Sequence, residues 1–127
     1  MNKLLFYADF LSYRRTGMAI SGLSFKAIGF GPVPERWDRV YSQFDDVMQE
    51  PRLYGEKEGY VLVSDEVADI SVFTTTEINI LEEVCARFSN ATSTDMTRIS
   101  HEESAWLDNV EGHKQIPFEA AFQLKAI

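Results

Sequence analysis

Lys3-Leu4-Leu5-Phe6-Tyr7-Ala8-Asp9-Phe10 is the stretch on which the reading of this chain turns. Leu4, Tyr7, Ala8 and Leu11 recur at three- and four-residue steps, which predicts a helix over 3–15 with one apolar stripe facing a core. Gly17 supplies the stop, because glycine takes the left-handed conformation that ends a helix without a Cβ penalty. The apolar run is short and Asp9 follows it at once, so it is not the core of a signal peptide.

Outward from this helix, the segment Ile20-Ser21-Gly22-Leu23-Ser24-Phe25 leads into an alternating stretch that predicts a short strand, with Leu23, Phe25 and Ala27 on one face. Gly29-Phe30-Gly31-Pro32 turns the chain. Pro34 then stands at the mouth of an expected amphipathic helix over 34–49. Trp37, Val40, Tyr41, Phe44, Val47 and Met48 form its apolar face, and Glu35, Asp38, Arg39, Ser42, Asp45, Asp46 and Gln49 the other. Residues 52–63 read as a hairpin around Gly55–Gly59, and Ile70 and Val72 as a further brief strand.

Thr74 and Glu77 have capping-box spacing ahead of a helix carrying Ile78, Leu81, Val84, Cys85 and Phe88, which ends near Ser89 with Asn90 as its cap. Ser93 is positioned to cap a helix to about His101, with Met96 and Ile99 inward. Trp106 and Leu107 fall in a short element after it, and Asn109 to Lys114 in a polar loop. Pro117 opens a last short helix with Phe118, Ala121, Phe122 and Leu124. The sum is a mainly helical α+β single domain over residues 1–127 with a small antiparallel sheet. Trp37, Phe44, Leu81, Phe88 and Trp106 are expected to share its core.

Composition narrows the function classes. At 127 residues with 45% apolar content, the chain is long enough for one core without disulfides or a structural metal. Its single cysteine, Cys85, is expected to be a buried small hydrophobe, and a chain with one cysteine suits a reducing cytoplasm. The net charge of −8 disfavours direct nucleic-acid binding and suits solubility or a basic protein partner. No apolar run is long enough to span a membrane.

Motifs for catalysis fail on spacing. Gly29-Phe30-Gly31 lacks the third glycine of a nucleotide loop, and Pro32 and Pro34 remove two N–H donors an anion site would use. His101-Glu102 lacks a second histidine one turn on, where Ala105 stands, so no zinc-protease pair exists and no metal is expected. Ser100 beside His101 is adjacency, not a dyad. No catalytic residue and no cofactor are expected. For His101 and Trp106 two readings stay open: a helix end with His101 on backbone carbonyls and Trp106 in the core, or part of a partner-binding surface. Tyr7 reads as packed, and Asp9 as paired with Arg14 or Arg15 or capping a neighbouring helix.

Three islands occur in order: Lys3 to Phe10, Ile20 to Phe25 running into Gly29-Phe30-Gly31-Pro32-Val33-Pro34, and Ile99-Ser100-His101-Glu102-Glu103-Ser104-Ala105-Trp106. As an ordered set, over about residues 3–124, they resemble the Panacea domain, the SocA-like antitoxin family of bacterial and phage toxin–antitoxin pairs. The resemblance implies an antitoxin that neutralises a cognate toxin by direct protein contact in the cytoplasm. Its family members act on very different toxins, including alarmone-synthetase-like enzymes; some carry an N-terminal DNA-binding module, and the SocA-type member is a proteolytic adaptor. The resemblance marks the islands as characteristic without separating fold maintenance from toxin contact, and Tyr7, Asp9, His101, Glu102 and Trp106 within them are the candidate partner-binding residues. It also implies a helical segment upstream of Lys3, which this chain is expected to lack. A phage-associated adaptor or interaction protein, and a small hydrolase or transferase using His101, are the alternatives. Homo-oligomerisation stays open.

Overall fold

The computed structural model describes residues 1–43, 48–54, 57–64 and 66–127. In chain order they form helix α1 (Asn2–Thr16), strands β1 (Phe25–Ile28) and β2 (Gly31–Pro34), helix α2 (Trp37–Ser42), and strands β3 (Met48–Tyr54) and β4 (Lys57–Val63). A 3-10 turn (Ile70–Val72), α3 (Thr75–Arg87), α4 (Ser93–His101), α5 (Ser104–Leu107) and a 3-10 helix (Phe118–Gln123) follow. The architecture is a mainly helical α+β one with small antiparallel strand pairs. The chain divides into two compact units, residues 1–35 with 73–127, and residues 36–72. No shift of composition in the sequence announces that division.

In the first unit α1 is the centre rather than a wall. Seven consecutive residues, Phe6 to Ser12, are buried, so the helix is enclosed on every side instead of along one stripe. α3, β2 and the 3-10 helix at Phe118–Gln123 all pack on it. Its aromatic residues make the core continuous: Phe6 meets Phe10 at 4.4 Å and Phe25 at 5.9 Å, Tyr7 meets Phe88 at 4.8 Å, and Phe10 meets Phe118 at 4.8 Å. Gly17 closes the helix as expected, at φ 77 with its N–H donating to Tyr13 O.

β1 has the predicted phase, with Phe25 and Ala27 fully buried. Pro34, however, does not open a helix; it lies opposite Phe25 in β2. The reason is the alternation of backbone groups. Ala27 N–H donates to Lys114 O and Ile116 N–H to Phe25 O, so the odd residues of β1 face residues 114–116. The even ones are left to face Gly31 and Val33, and Glu35 N–H continues that edge by donating to Ser24 O. Pro32 and Pro34 therefore occupy the alternate positions of β2, where no N–H is needed by β1.

α3 keeps the Thr74–Glu77 capping box, with Glu77 N–H donating to the Thr74 hydroxyl and Thr74 N–H to the Glu77 carboxylate. Its buried row is Ile80, Val84 and Phe88, and Cys85, one residue round from Val84, is exposed rather than buried. α4 is capped by Thr92 with Asp95, one residue before the expected Ser93. Met96 and Ser100 are buried and Ile99 packs against the core. Pro117 precedes the last helix, which is 3-10 rather than α.

The second unit departs furthest from expectation. The helix predicted over 34–49 is reduced to Trp37–Ser42, and Met48 and Gln49 belong to β3. Proline at position 51 drives Glu50 away from helical backbone, and the strand extends from there in register from Met48 with Val63 to Tyr54 with Lys57. The paired strands thus run further than the 52–63 reading, and Glu58 and Gly59 of the expected connection lie within β4, while Gly55 and Glu56 lie outside the described residues. Ile70 and Val72 form a 3-10 turn, not a strand. Trp37 belongs to this unit and is 40% exposed, so it does not share the core of Leu81, Phe88 and Trp106; Phe44 lies outside the described residues.

Candidate functional site

The three islands meet in space. Asp9 of α1 lies buried and its carboxylate accepts from the backbone N–H groups of Ile20 at 3.0 Å and Ser21 at 2.9 Å, and from the Ser21 hydroxyl. It caps the 18–21 turn and pairs with neither arginine. Arg14 donates to Ile127 O, and Arg15 forms a two-pronged pair with Glu83 at 2.5 and 2.9 Å. Burial pushes the Asp9 carboxyl above its ordinary value, opposed by those Ser21 and Ile20 donors.

Gly31 joins all three islands. A Cβ there would stand 2.8 Å from both Lys3 Cε and Ser100 Oγ, and its φ of 127 is closed to other residues. Burial lowers the Lys3 ammonium from its usual value. The first and third islands also meet directly, where the Tyr7 hydroxyl donates to Glu103 Oε1 at 3.3 Å. Burial, reinforced by the negative charge of Glu103, drives the Tyr7 hydroxyl well above the ordinary phenol value.

Tyr7 is 0% exposed and Asp9 1%, so both lie beneath the surface with their polar atoms used internally. His101, Glu102 and Trp106 lie further out: Glu102 is exposed and the other two half-buried. The His101 ring stacks flat on Trp106, centroids 3.8 Å apart and planes 12° from parallel. Trp106 is fixed in turn by its Nε1–H, which donates to Ile28 O at 2.7 Å. His101 Nε2 is buried against this stack without a hydrogen-bond partner; it holds no backbone carbonyl. Beside it an open groove runs between Phe30, 76% exposed at the β1–β2 turn, and the α4 residues Thr94, Thr97, Arg98 and His101.

Glu103 is the residue that sequence reasoning missed. It is 1% exposed, and besides Tyr7 it accepts from the backbone N–H groups of Lys125 and Ala126 at 2.9 Å each. A signal was present, since Met96, Ser100 and Glu103 fall at four- and three-residue steps on the inward stripe. Among the described residues no group of three or more His, Cys, Asp or Glu is placed to hold a metal, and no helix is long and apolar enough to cross a membrane.

The distinctive residues of the chain thus do two things: they bolt α1 to the turns around it, and they bring an aromatic–imidazole stack and an open groove to the surface. The chain belongs to the antitoxin SocA-like Panacea family, whose sequence model matches residues 1–107. No curated protein matches it, and no solved structure does.

Proposed function

We propose that the chain is an antitoxin that acts in the cytoplasm by binding a cognate toxin directly and occluding its active site, without catalysis of its own. The observation that carries this reading is the family match over residues 1–107, whose three islands converge on Gly31, Asp9 and Tyr7. The contact surface in this reading is the His101–Trp106 stack with Glu102, Phe30 and the groove along α4. Tyr7 and Asp9 serve it from below, by fixing the Glu103 corner and the turn at Ser21. A stacked, half-buried aromatic beside an exposed phenylalanine supplies the central anchor that interfaces of about 600–800 Å² per partner use. The net charge of −8 favours a toxin with a basic face.

Co-expression with the product of the adjacent gene tests the reading. Growth rescue together with a stable purified complex supports it. A neighbour that is harmless alone, or one that stays toxic beside well-folded protein, contradicts it.

A further inference from the structure

The negative charge of the chain is concentrated in one of its two units. Residues 36–72 hold nine acidic residues against four basic ones, a charge of −5 out of the total of −8. The other 90 residues share the remaining −3.

The same unit leaves its apolar residues in water. Among the described residues every buried side chain lies in the first unit. Within 36–72, Trp37, Met48, Leu53, Val67, Ile70 and Val72 are all exposed, Met48 by 64% and Leu53 by 77%. Side chains alternate across a strand, so Met48 and Glu50 lie on one face of β3 and Pro51 and Leu53 on the other. All four are exposed, so neither face is sheltered there. Among the described residues, β3 pairs with β4 and their sheet has no third strand. A hairpin of two strands is marginal in water unless something packs on a face.

Charge decides what packs on it. A second copy of the chain brings another −5 to the same place and is repelled. A protein whose basic residues surround an apolar cleft is attracted, and its apolar floor covers what the hairpin exposes. We propose that the β3–β4 hairpin is a docking element seated in a basic cleft of a partner protein, with Met48 and Leu53 as apolar anchors on its two faces. The proposal rests on the antitoxin reading for the identity of that partner, the toxin, and gives it a second contact besides the face around His101.

The test titrates the purified product of the adjacent gene with the full chain and its variants. Asp38→Asn, Glu50→Gln and Glu66→Gln together remove three exposed carboxylates from the second unit. Glu82→Gln, Glu111→Gln and Glu119→Gln remove three from the first and leave the same net charge. The first set is expected to weaken binding by at least about tenfold and to flatten its salt dependence, the second by no more than about threefold. Leu53→Ser is expected to weaken binding by at least about tenfold with unfolding unchanged. Equal losses from the two charge sets, or full binding by Leu53→Ser, overturn the proposal. If Phe30→Ala and His101→Ala still weaken binding in that case, the antitoxin reading stands without it.

Amide exchange supplies a readout that needs no affinity. In the free chain the β3 and β4 amides are expected to exchange at least about tenfold faster than those of Phe6 to Ser12, and to slow by at least about tenfold in the complex. A hairpin as protected as α1 in the free chain, or unprotected in the complex, overturns the proposal. Protection that grows with the concentration of the chain alone assigns the hairpin to a second copy and overturns it equally. No binding by the unaltered chain overturns this proposal and the antitoxin reading together.

Discussion

α1 and α4 carry the first and the third of the islands that mark this chain, yet they spend those residues in opposite ways. In α1 the run from Phe6 to Ser12 is buried whole, polar members included. In α4 only Met96 and Ser100 are buried, and Thr94, Arg98 and His101 line an open groove. A characteristic motif is therefore no guide to where a partner binds. Tyr7 and Asp9 stand in the first island because a helix enclosed on every side must satisfy its polar groups internally. Phe30 faces no such demand, and the buried imidazole Nε2 of His101 is left without a partner.

The contrast breaks most readily at the aromatic core. Phe10→Ala is expected to cost about 3–5 kcal/mol, since a fully buried ring in contact with Phe6, Phe25 and Phe118 leaves a cavity. Denaturant unfolding measures it, and a loss below about 1 kcal/mol removes α1 from the centre of the fold.

Next comes Asp9→Ala. It strands the Ile20 and Ser21 N–H groups and the Ser21 hydroxyl, at about 1–3 kcal/mol for each donor that water does not reach. Because burial raises the Asp9 carboxyl in the folded state, that state holds its proton at higher pH than the unfolded chain. The group's contribution to stability is then largest below the ordinary aspartate value of 3.8 and declines as pH rises through the raised folded value. Comparing the acid limbs of the unaltered protein and Asp9→Asn shows whether that decline belongs to Asp9.

Tyr7→Phe is smaller, about 1–2 kcal/mol at neutral pH from the hydrogen bond to Glu103. Its diagnostic effect is alkaline. The unfolded chain loses the phenol proton near pH 10, whereas the folded state keeps it beyond that point. Stability should fall above about pH 10 by up to about 1.4 kcal/mol per pH unit for this one group. In Tyr7→Phe that share of the slope should vanish; an unchanged slope would show the hydroxyl titrating freely.

Smallest in stability are Phe30→Ala and His101→Ala, the first within about 0.5 kcal/mol of the unaltered protein and the second below about 1 kcal/mol. Phe30 projects from a turn, and His101 rests on Trp106 without using Nε2. If either destabilises as much as Phe10→Ala, the surface of α4 is structural after all.

How far the sequence foretold this depends on how local the deciding forces are. The Gly17 stop, the capping box at Thr74 and the inward phase of Phe25 and Ala27 were legible, because neighbours within four residues decide them. The helix expected over 34–49 was not. Pro34 is drawn into a strand by Phe25 across a turn, and Pro51 imposes extended backbone from the far side. Cys85 shows how one residue of helical phase exchanges burial for exposure.

At the site, the sequence placed His101, Glu102 and Trp106 on one island, but it did not disclose the flat stack of His101 on Trp106 that orients them. Glu103 escaped notice because its main partners are the backbone amides of residues 125 and 126, which no side-chain pattern advertises. Asp9 was expected to pair with Arg14 or Arg15 or to cap a neighbouring helix, and it accepts instead from the amides of Ile20 and Ser21 in a turn, for the same reason.

The central claim is that the face built by His101, Trp106 and Phe30 binds a toxin while the buried islands only support it. Titrating the purified adjacent gene product with the unaltered chain, Phe30→Ala and His101→Ala measures this most directly. Binding that weakens by at least about tenfold in both variants, at unchanged stability and with affinity falling as salt rises, is the predicted result. Undiminished binding by both variants, or no binding by the unaltered chain, would contradict it.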